Sequence, residues 1–176
     1  GYPDYRDVDR RWFYVWQMCD SDINCLGLIY TKKRRDGFSY RAMAITLNRA
    51  RRTFNSNYGM MSKTGGDAKE LFRKLTYGYK NLYSFLKPQA SSNEEPQKTL
   101  LLATPTKRIT SKNRKIIKEV SLNTKIDWKN TASNSYDSEK EKIITADEAG
   151  KWEEANFQVW YGKAKTTAIL GGKIIG

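Results

Sequence analysis

The stretch KKRRDGFSYRAMAITLNRARRTF, residues 32–54, sets the framework for the rest of the chain. It opens with four consecutive basic residues and the turn dipeptide Asp36-Gly37, after which Ser39 is a suitable N-cap. Hydrophobic residues then recur at helical spacing: Met43, Leu47, Ala50 and Phe54. Arginines lie off that stripe, so the pattern predicts an amphipathic helix that starts after Ser39.

Further helix and strand patterns flank this helix. Residues 11–18 and 26–31 are rich in aromatic and β-branched side chains around an Asp/Ser/Asn turn, which predicts a β-hairpin. On the other side, Asp67 and Glu70 resemble a capping box and predict the start of a second helix that ends before Pro88. Its apolar stripe consists of Leu71, Leu75, Tyr79, Leu82 and Leu86.

The second half of the chain has the pattern of a β-sheet. Residues 88–98 are polar and contain two prolines, which predicts a mobile surface loop. Strand-like patterns follow at residues 100–104, 120–128, 157–161 and 166–170. The predicted fold class is α+β: a single domain over residues 1–176, in which two amphipathic helices pack on a mostly antiparallel β-sheet.

The absence of histidine restricts the chemistry open to the chain. It excludes Ser-His and Cys-His nucleophile pairs and His-ligated zinc. Cys19 and Cys25 are the only cysteines, too few for a disulfide scaffold or a zinc site, and a reducing, intracellular setting is the expectation. The acidic residues show no spacing typical of a metal-dependent nuclease. The sequence therefore predicts a protein that is not an enzyme and has no catalytic residue, cofactor or metal.

Known ligand-binding motifs are not met in full. Residues 20–24 begin like a calcium loop, but Cys25 stands where glycine is needed and Thr31 where a bidentate Glu is needed. Residues 62–66, Ser-Lys-Thr-Gly-Gly, have the wrong order for a phosphate loop that ends in Gly-Lys-Ser/Thr, and Gly-x-Gly-x-x-Gly is absent. No apolar run is long enough to span a bilayer.

Positive charge is concentrated in two parts of the chain. The formal net charge is +13, from 32 Lys and Arg against 19 Asp and Glu. Residues 32–80 carry thirteen basic and three acidic residues, and residues 98–129 carry nine and two, whereas residues 137–154 carry three and seven. The basic regions predict a polyanionic partner, which is nucleic acid, nucleoprotein or an anionic membrane surface. Basic and acidic patches on one molecule also permit self-association.

The predicted polyanion-binding residues are the clustered lysines and arginines, because Arg binds phosphate bidentately and Lys acts as a point charge. They are Lys32, Lys33, Arg34, Arg35, Arg41, Arg49, Arg51, Arg52, Lys107, Arg108, Lys112, Arg114 and Lys115. The residues predicted for self-association are Asp147, Glu148, Glu153 and Glu154. The tyrosines among the basic residues suit either base stacking or insertion at a membrane interface.

Residues 36–41, Asp-Gly-Phe-Ser-Tyr-Arg, and the helix that follows resemble the start of the conserved domain of rhabdovirus matrix proteins. The resemblance covers about residues 12–86. It implies a basic virion protein that lies between the ribonucleoprotein and the inner membrane leaflet, condenses the nucleocapsid and self-associates. The Pro-Pro-x-Tyr motif of the animal members is absent.

The charge pattern and the resemblance together predict a viral structural protein of matrix type. Its expected partners are the viral nucleocapsid or nucleic acid, an anionic membrane surface and further copies of itself. Its expected locations are the virion, the host cytoplasm, the inner membrane face and the nucleus. The alternative is an RNA- or DNA-binding capsid, nucleocapsid or silencing-suppressor protein with no membrane role.

Overall fold

The computed structural model describes residues 5–33, 35–90, 96–102, 107–109, 116–118, 121–169 and 171–176. In chain order its helices and strands are α1 Asp7–Ser21, β1 Gly27–Leu28, α2 Phe38–Ala50, β2 Asn57–Met61, α3 Gly65–Lys80, β3 Thr99–Leu102, β4 Lys107–Ile109, β5 Ile116–Lys118, β6 Thr124–Trp128, β7 Glu141–Ala146, α4 Phe157–Ile169 and β8 Lys173–Ile175. Of the predicted mobile loop at residues 88–98, residues 91–95 lie outside the described ranges.

Six strands form one sheet in the order β1-β8-β7-β2-β6-β3. In this sheet order, the first five strands are parallel to one another. The edge strand β3 is antiparallel to its neighbour β6. Strands β4 and β5 form a separate antiparallel pair. The predicted α+β fold with a mostly antiparallel sheet is therefore wrong, and the fold is α/β. The physical reason is that helical crossovers such as α4, between β7 and β8, join strands that point the same way.

Two segments predicted as strands are helical. Residues 11–18 lie inside α1, and the pattern from residue 157 onward lies in α4. Their aromatic and β-branched content favoured strands, but their buried side chains follow helical spacing. Those of α1 are Asp9, Trp12, Trp16 and Cys19, and those of α4 include Trp160, Ala164 and Ala168. Tertiary burial therefore overrides the strand propensity of both segments.

The two predicted helices are present as α2 and α3. Helix α2 begins at Phe38, one residue before Ser39, with Gly37 as its N-cap. Helix α3 begins after Thr64, whose hydroxyl oxygen accepts the backbone N–H of Asp67 over 3.2 Å. It ends at Lys80, earlier than the predicted stripe, and a short 3₁₀ turn at Ser84–Leu86 follows it.

Helices cover both faces of the sheet. One core cluster joins side chains of α1, α2 and α3 to one sheet face, and a second joins α4 to the other. Neighbouring residues of one strand enter opposite clusters, as Ile143 and Ile144 do in β7. This double burial is why residues 143–146 of β7 are all buried, as is typical of a parallel sheet covered on both faces. It also brings the carboxyl ends of β1, β7 and β2 to the same edge, where open α/β sheets bind ligands.

Glu141, the first residue of β7, makes folding stability depend on pH. It is only 2% exposed, and burial, followed by the negative charge of Asp127, raises its pKa from 4.5 to about 8. The folded state favours the protonated carboxyl of Glu141. The stability that this carboxyl contributes is therefore complete at pH values below 4.5 and is lost as the pH rises to about 8.

We expect Glu141→Gln to unfold at higher urea concentration than the unsubstituted chain at about pH 8, because the amide stays neutral there. At about pH 5 the two should differ little. Urea denaturation at both pH values measures this, with the exposed Glu154→Gln as the matched control. An equal pH dependence in Glu141→Gln and the unsubstituted chain would show that Glu141 is charged in the folded state.

Candidate functional site

Residues 31–33 and 35–37, between β1 and α2, lie at the carboxyl edge of the sheet. Gly37 has φ +87°, a left-handed conformation that favours glycine. Its carbonyl accepts the backbone N–H groups of Tyr40 at 3.1 Å and Arg41 at 3.2 Å, so the helix starts directly after the glycine. The first-turn N–H groups of a helix lack intrahelical acceptors, and together with the helix dipole they form a site for anions.

The second part of the site follows β7. Residues 143–146 are buried, and Asp147 comes directly after them at 5% exposure. The hydroxyl of Ser39, in the first turn of α2, donates to Asp147 Oδ2 over 2.7 Å. Asp147 Oδ1 accepts the backbone N–H of Glu148 at 3.0 Å, and the Asp147 N–H donates to the Met61 carbonyl at 3.0 Å. The end of β7 is therefore tied both to α2 and to the end of β2.

Lys32 contributes a positive charge at the same place. Its Nζ lies 3.4 Å from Asp147 Oδ1 and 4.7 Å from the centroid of the Phe38 ring. Its side chain is 26% exposed, so the ammonium group is close to the buried carboxylate yet open to solvent. The site thus combines a helix N-terminus, a hydroxyl, a carboxylate and one ammonium group.

Phe38, the first residue of α2, belongs to the core and not to the site. It is 2% exposed. Its ring stacks on Tyr30 with centroids 5.9 Å apart, and it meets Trp12 edge-on at 6.0 Å. A polar side chain at this position would lie among aromatic rings.

The residues of the site can be compared with two nucleotide-binding motifs. Residues 32–39 are KKRRDGFS, and the Walker A pattern is Gly-x-x-x-x-Gly-Lys-Ser/Thr. Gly37 and Ser39 match it, whereas Lys32 replaces the first glycine and Phe38 replaces the lysine. Asp147 and Glu148 directly follow the strand β7, which is the position of the Walker B aspartate that acts with the Walker A hydroxyl in P-loop NTPases.

The sequence prediction missed this site because it required Gly-Lys-Ser/Thr. Two weaker signals were present. Gly37 and Ser39 have the correct spacing at the start of a predicted helix, and residues 143–148, IITADE, are a mostly apolar run that ends in two acids. Neither signal is specific alone, and the sheet order is what brings them together.

Glu148 differs from Asp147 in its surroundings. Its backbone is in the left-handed region at φ +52°. Its carboxylate Oε1 accepts from Lys151 Nζ over 3.1 Å, and the side chain is 36% exposed. Glu148 is therefore a solvent-accessible carboxylate directly beside the buried one.

The predicted polyanion-binding residues are scattered by the fold. Lys33, Arg35 and Arg52 are exposed, and among the predicted residues that the structure describes only Lys32 contacts Asp147. Arg41 requires a correction: it is 4% exposed and its guanidinium binds Asp9 and Asp36, so it is not a surface contact. The guanidinium group of Arg49 donates to the side chain of Asp20, and that of Arg51 donates to the side chain of Asn48.

The remaining predicted polyanion-binding residues are not described by the structure. Arg34, Lys112, Arg114 and Lys115 lie outside the described residues, as do the side chains of Lys107 and Arg108.

The acidic residues predicted for self-association are also separated. Asp147 requires a correction, because it is only 5% exposed and its carboxylate accepts the Ser39 hydroxyl, which leaves little of it accessible to a second molecule. Lys63 Nζ lies 4.0 Å from a carboxylate oxygen of Glu153, and Glu154 is exposed. Self-association and polyanion binding by the exposed residues remain predictions.

The described residues contain no group of three or more His, Cys, Asp and Glu able to hold a metal ion. This does not argue against Mg²⁺, which is commonly held by one or two carboxylates together with substrate phosphates and water. The Asp147 carboxylate and the Ser39 hydroxyl, 2.7 Å apart, are oxygen ligands of the kind it prefers. In the part of the chain that the structure describes, no helix has the length and hydrophobicity needed to cross a membrane.

No protein-family profile and no curated protein sequence matches the chain. Among solved structures, it is similar to the ATPase domain of the large terminase of Thermus phage P74-26. A mutant form of that domain has a TM-score of 0.60 and 15% identity, over 85% of this chain and 57% of the other. The domain without that mutation has a TM-score of 0.58 and 16% identity, over 86% and 58%. The chain therefore spans less than three fifths of the length of these domains.

This likeness shows the shared fold and corrects the earlier interpretation. It overturns the predicted α+β class, in agreement with the parallel sheet. The interpretation as a non-enzymatic viral structural protein is also wrong, because the structures that share the fold are ATPase domains. Nothing in the comparisons tests the short resemblance of residues 36–41 to rhabdovirus matrix proteins.

We expect Phe38→Lys, which restores the usual Walker A lysine, to destabilise the fold by about 3 kcal/mol or more, because it removes a buried ring and buries an ammonium group. Urea denaturation measures the loss. The matched control is Tyr40→Lys, which replaces an exposed aromatic side chain of the same helix and should have little effect. Equal stability of the two variants would show that position 38 opens into the site.

Proposed function

We propose that the chain is the core of a Mg²⁺-dependent P-loop ATPase of the kind found in large terminases, which hydrolyses the bond between the β- and γ-phosphates. The observation that carries the proposal is the hydrogen bond from Ser39 to Asp147 at the carboxyl edge of a parallel sheet. It joins the two residues that bind the metal in P-loop NTPases. The terminase ATPase domains support ATP as the nucleotide.

The phosphates would bind at the start of α2. Gly37 lets the chain turn sharply into the helix, so the backbone N–H groups of its first turn converge on one place. The positive end of the helix dipole favours negative charge there. Lys33 and Arg35 are exposed in the same segment and add to the local positive potential.

Ser39 and Asp147 would hold the magnesium ion. A bound Mg²⁺ would supply positive charge to offset the negative charge that develops on the phosphates during transfer. The backbone hydrogen bonds to Glu148 and Met61 fix the carboxylate of Asp147 before any ligand arrives. Such preorganisation means that little reorganisation is needed when the phosphates bind.

Lys32 would replace the missing Walker A lysine. Phe38 cannot serve, since it is a core residue, whereas the ammonium group of Lys32 lies beside Asp147 at the start of α2. The standard Walker A lysine is the seventh residue of the motif, the position of Phe38. Lys32 is the first residue of the motif, and its ammonium group would take over the role of that lysine. Its task is to bind the phosphate oxygens and stabilise the charge of the transition state.

Glu148 would orient the attacking water and accept its proton. The water oxygen attacks the γ-phosphorus, the bond to the bridging oxygen of ADP breaks, and phosphate leaves with the new oxygen. Glu148 is suited to this because it is partly exposed and follows Asp147 directly. Its ion pair with Lys151 is a surface pair between residues three apart, which holds the carboxylate only weakly.

We expect Lys32→Ala to lower the rate of phosphate release from Mg·ATP by about 100-fold, because it removes the one ammonium group next to Asp147 among the described residues. Lys33→Ala removes the same charge from the neighbouring exposed position and should change the rate by about twofold at most. Steady-state release of inorganic phosphate measures both. Equal effects of the two substitutions would assign the role of Lys32 to general electrostatics.

Glu148→Gln should keep the affinity for Mg·ATP and lose about 100-fold in hydrolysis, since the amide cannot accept the proton. Binding of a fluorescent ATP analogue and phosphate release separate the two effects. Glu154→Gln, on the exposed surface nearby, is the matched control. Normal hydrolysis by Glu148→Gln would place the general base elsewhere.

A further inference from the structure

A buried network of charges connects the N-terminus of α1 to the segment that precedes α2. Asp9 is 7% exposed, and both its carboxylate oxygens are engaged. Oδ2 accepts Arg6 Nε at 3.0 Å and the Arg6 backbone N–H at 3.1 Å. Oδ1 accepts Arg6 Nη2 at 3.0 Å and Arg41 Nη1 at 2.8 Å.

The same two arginines reach the residue directly before Gly37. Arg41 Nη2 donates to the side-chain carboxylate of Asp36, and Arg6 Nη2 donates to the Asp36 backbone carbonyl over 2.9 Å. Asp36 is thus bound through its side chain and its main chain, and both bonds come from arginines that Asp9 orients. A Cβ atom on Gly37 would come within 3.1 Å of Arg6 Nη2, so the backbone lies close against the network.

Two central members of the network, Asp9 and Arg41, are buried, whereas the side chain of Arg6 is 49% exposed. Arg41 is 4% exposed, and its guanidinium lies 5.6 Å from the ring centroids of both Trp12 and Tyr30. The hydrogen bond from Arg6 lowers the pKa of Asp9 to about 2, so the carboxylate remains charged. Removal of one member of a buried ion pair leaves its partner partly uncompensated, and the loss of Asp9 would leave Asp36 as the remaining partner of both arginines.

We propose that Asp9 is a positioning residue for the phosphate-binding segment: through Arg6 and Arg41 it holds Asp36 and Gly37 in the conformation that presents the first turn of α2. Asp9 itself would not touch the nucleotide. The statement about nucleotide binding rests on the proposed ATPase function, whereas the order of the segment can be measured without nucleotide. Because a loosened segment must be ordered when phosphates bind, the loss of Asp9 should act mainly on KM for ATP.

The test compares Asp9→Asn with Asp7→Asn. Asp7 lies on the same turn of α1, but its side chain is 87% exposed. Its ion-pair partner is Arg10, at 3.8 Å, which is not part of the network, so the loss of Asp7 should leave the network intact. Residues 32–35 are all Lys or Arg, which makes this segment a substrate for trypsin. Without nucleotide, trypsin should cleave there about tenfold faster in Asp9→Asn than in Asp7→Asn. Cleavage after Lys69 and Arg73 in α3 should be equal in the two variants.

The kinetic arm uses the same proteins with Mg·ATP. Asp9→Asn should raise KM about tenfold with kcat within about threefold, and Asp9→Glu should recover part of the loss because it restores the charge. Equal cleavage at residues 32–35 in the Asp9 and Asp7 variants, or a fall in kcat at unchanged KM, would overturn the proposal. If no protein hydrolyses ATP, the ATPase proposal fails and the cleavage rates alone decide the positioning role.

A third variant covers the case in which Asp9→Asn does not fold. Asp36→Asn breaks the link to Arg41 at its loop end, where the Asp36 side chain is 18% exposed, and leaves the Arg6–Asp9 pair in place. It should also speed cleavage at residues 32–35 without affecting cleavage in α3. Unchanged cleavage in Asp36→Asn would show that the network does not order the segment.

Discussion

The site depends on the hydrogen bond between Ser39 and Asp147. These residues are 108 positions apart, one at the start of α2 and the other directly after β7. They meet because the final strand, β8, lies between β1 and β7 and is parallel to both. The close approach of β8 requires glycine at position 27, since a Cβ atom there would overlap the backbone of Ile174. Strand β8 therefore brings the segment after β1 next to the end of β7.

The strong positive charge of the chain has two physical roles. Some cations are structural: Arg41 is buried between two carboxylates, and the buried Lys173 donates to the backbone carbonyls of Asp22 and Cys25. Others, such as Lys33 and Arg35, are exposed beside the start of α2. A count of charges along the sequence combines these two groups. Burial separates them, and it shows that part of the basic excess stabilises the fold instead of binding a partner.

Local patterns in the sequence were sufficient for part of the fold. Helices α2 and α3 follow from apolar spacing and N-terminal signals, and the strand patterns at residues 100–104 and 120–128 overlap β3 and β6. No strand pattern predicted β7. Helix α1 was not predictable from composition, because Trp12 and Trp16 belong equally to strand-like sequence. The parallel direction of the strands could not be predicted from local patterns, because parallel pairing is a long-range property that depends on crossover helices.

The candidate site was only partly visible in the sequence. Ser39 was interpreted as a helix cap and Asp147 as a surface acid, and each interpretation was reasonable for a single position. Phe38 concealed the motif, because the lysine that normally identifies it is replaced by a residue the core requires. Lys32 was included among the basic residues, but only the fold shows that its ammonium group approaches Asp147. The site is thus defined by sheet order more than by any local motif.

Amide hydrogen exchange with and without Mg·ATP tests the central claim most directly, because it locates the nucleotide as well as detecting it. We expect ATP to slow amide hydrogen exchange in peptides covering residues 35–41 and 147–149, where the start of α2 meets the end of β7. Ser39→Ala should lose this protection, whereas Ser62→Ala, a buried serine at the end of β2, should keep it. Protection confined to other segments, or equal protection in the Ser39→Ala variant, would contradict the assignment of the site.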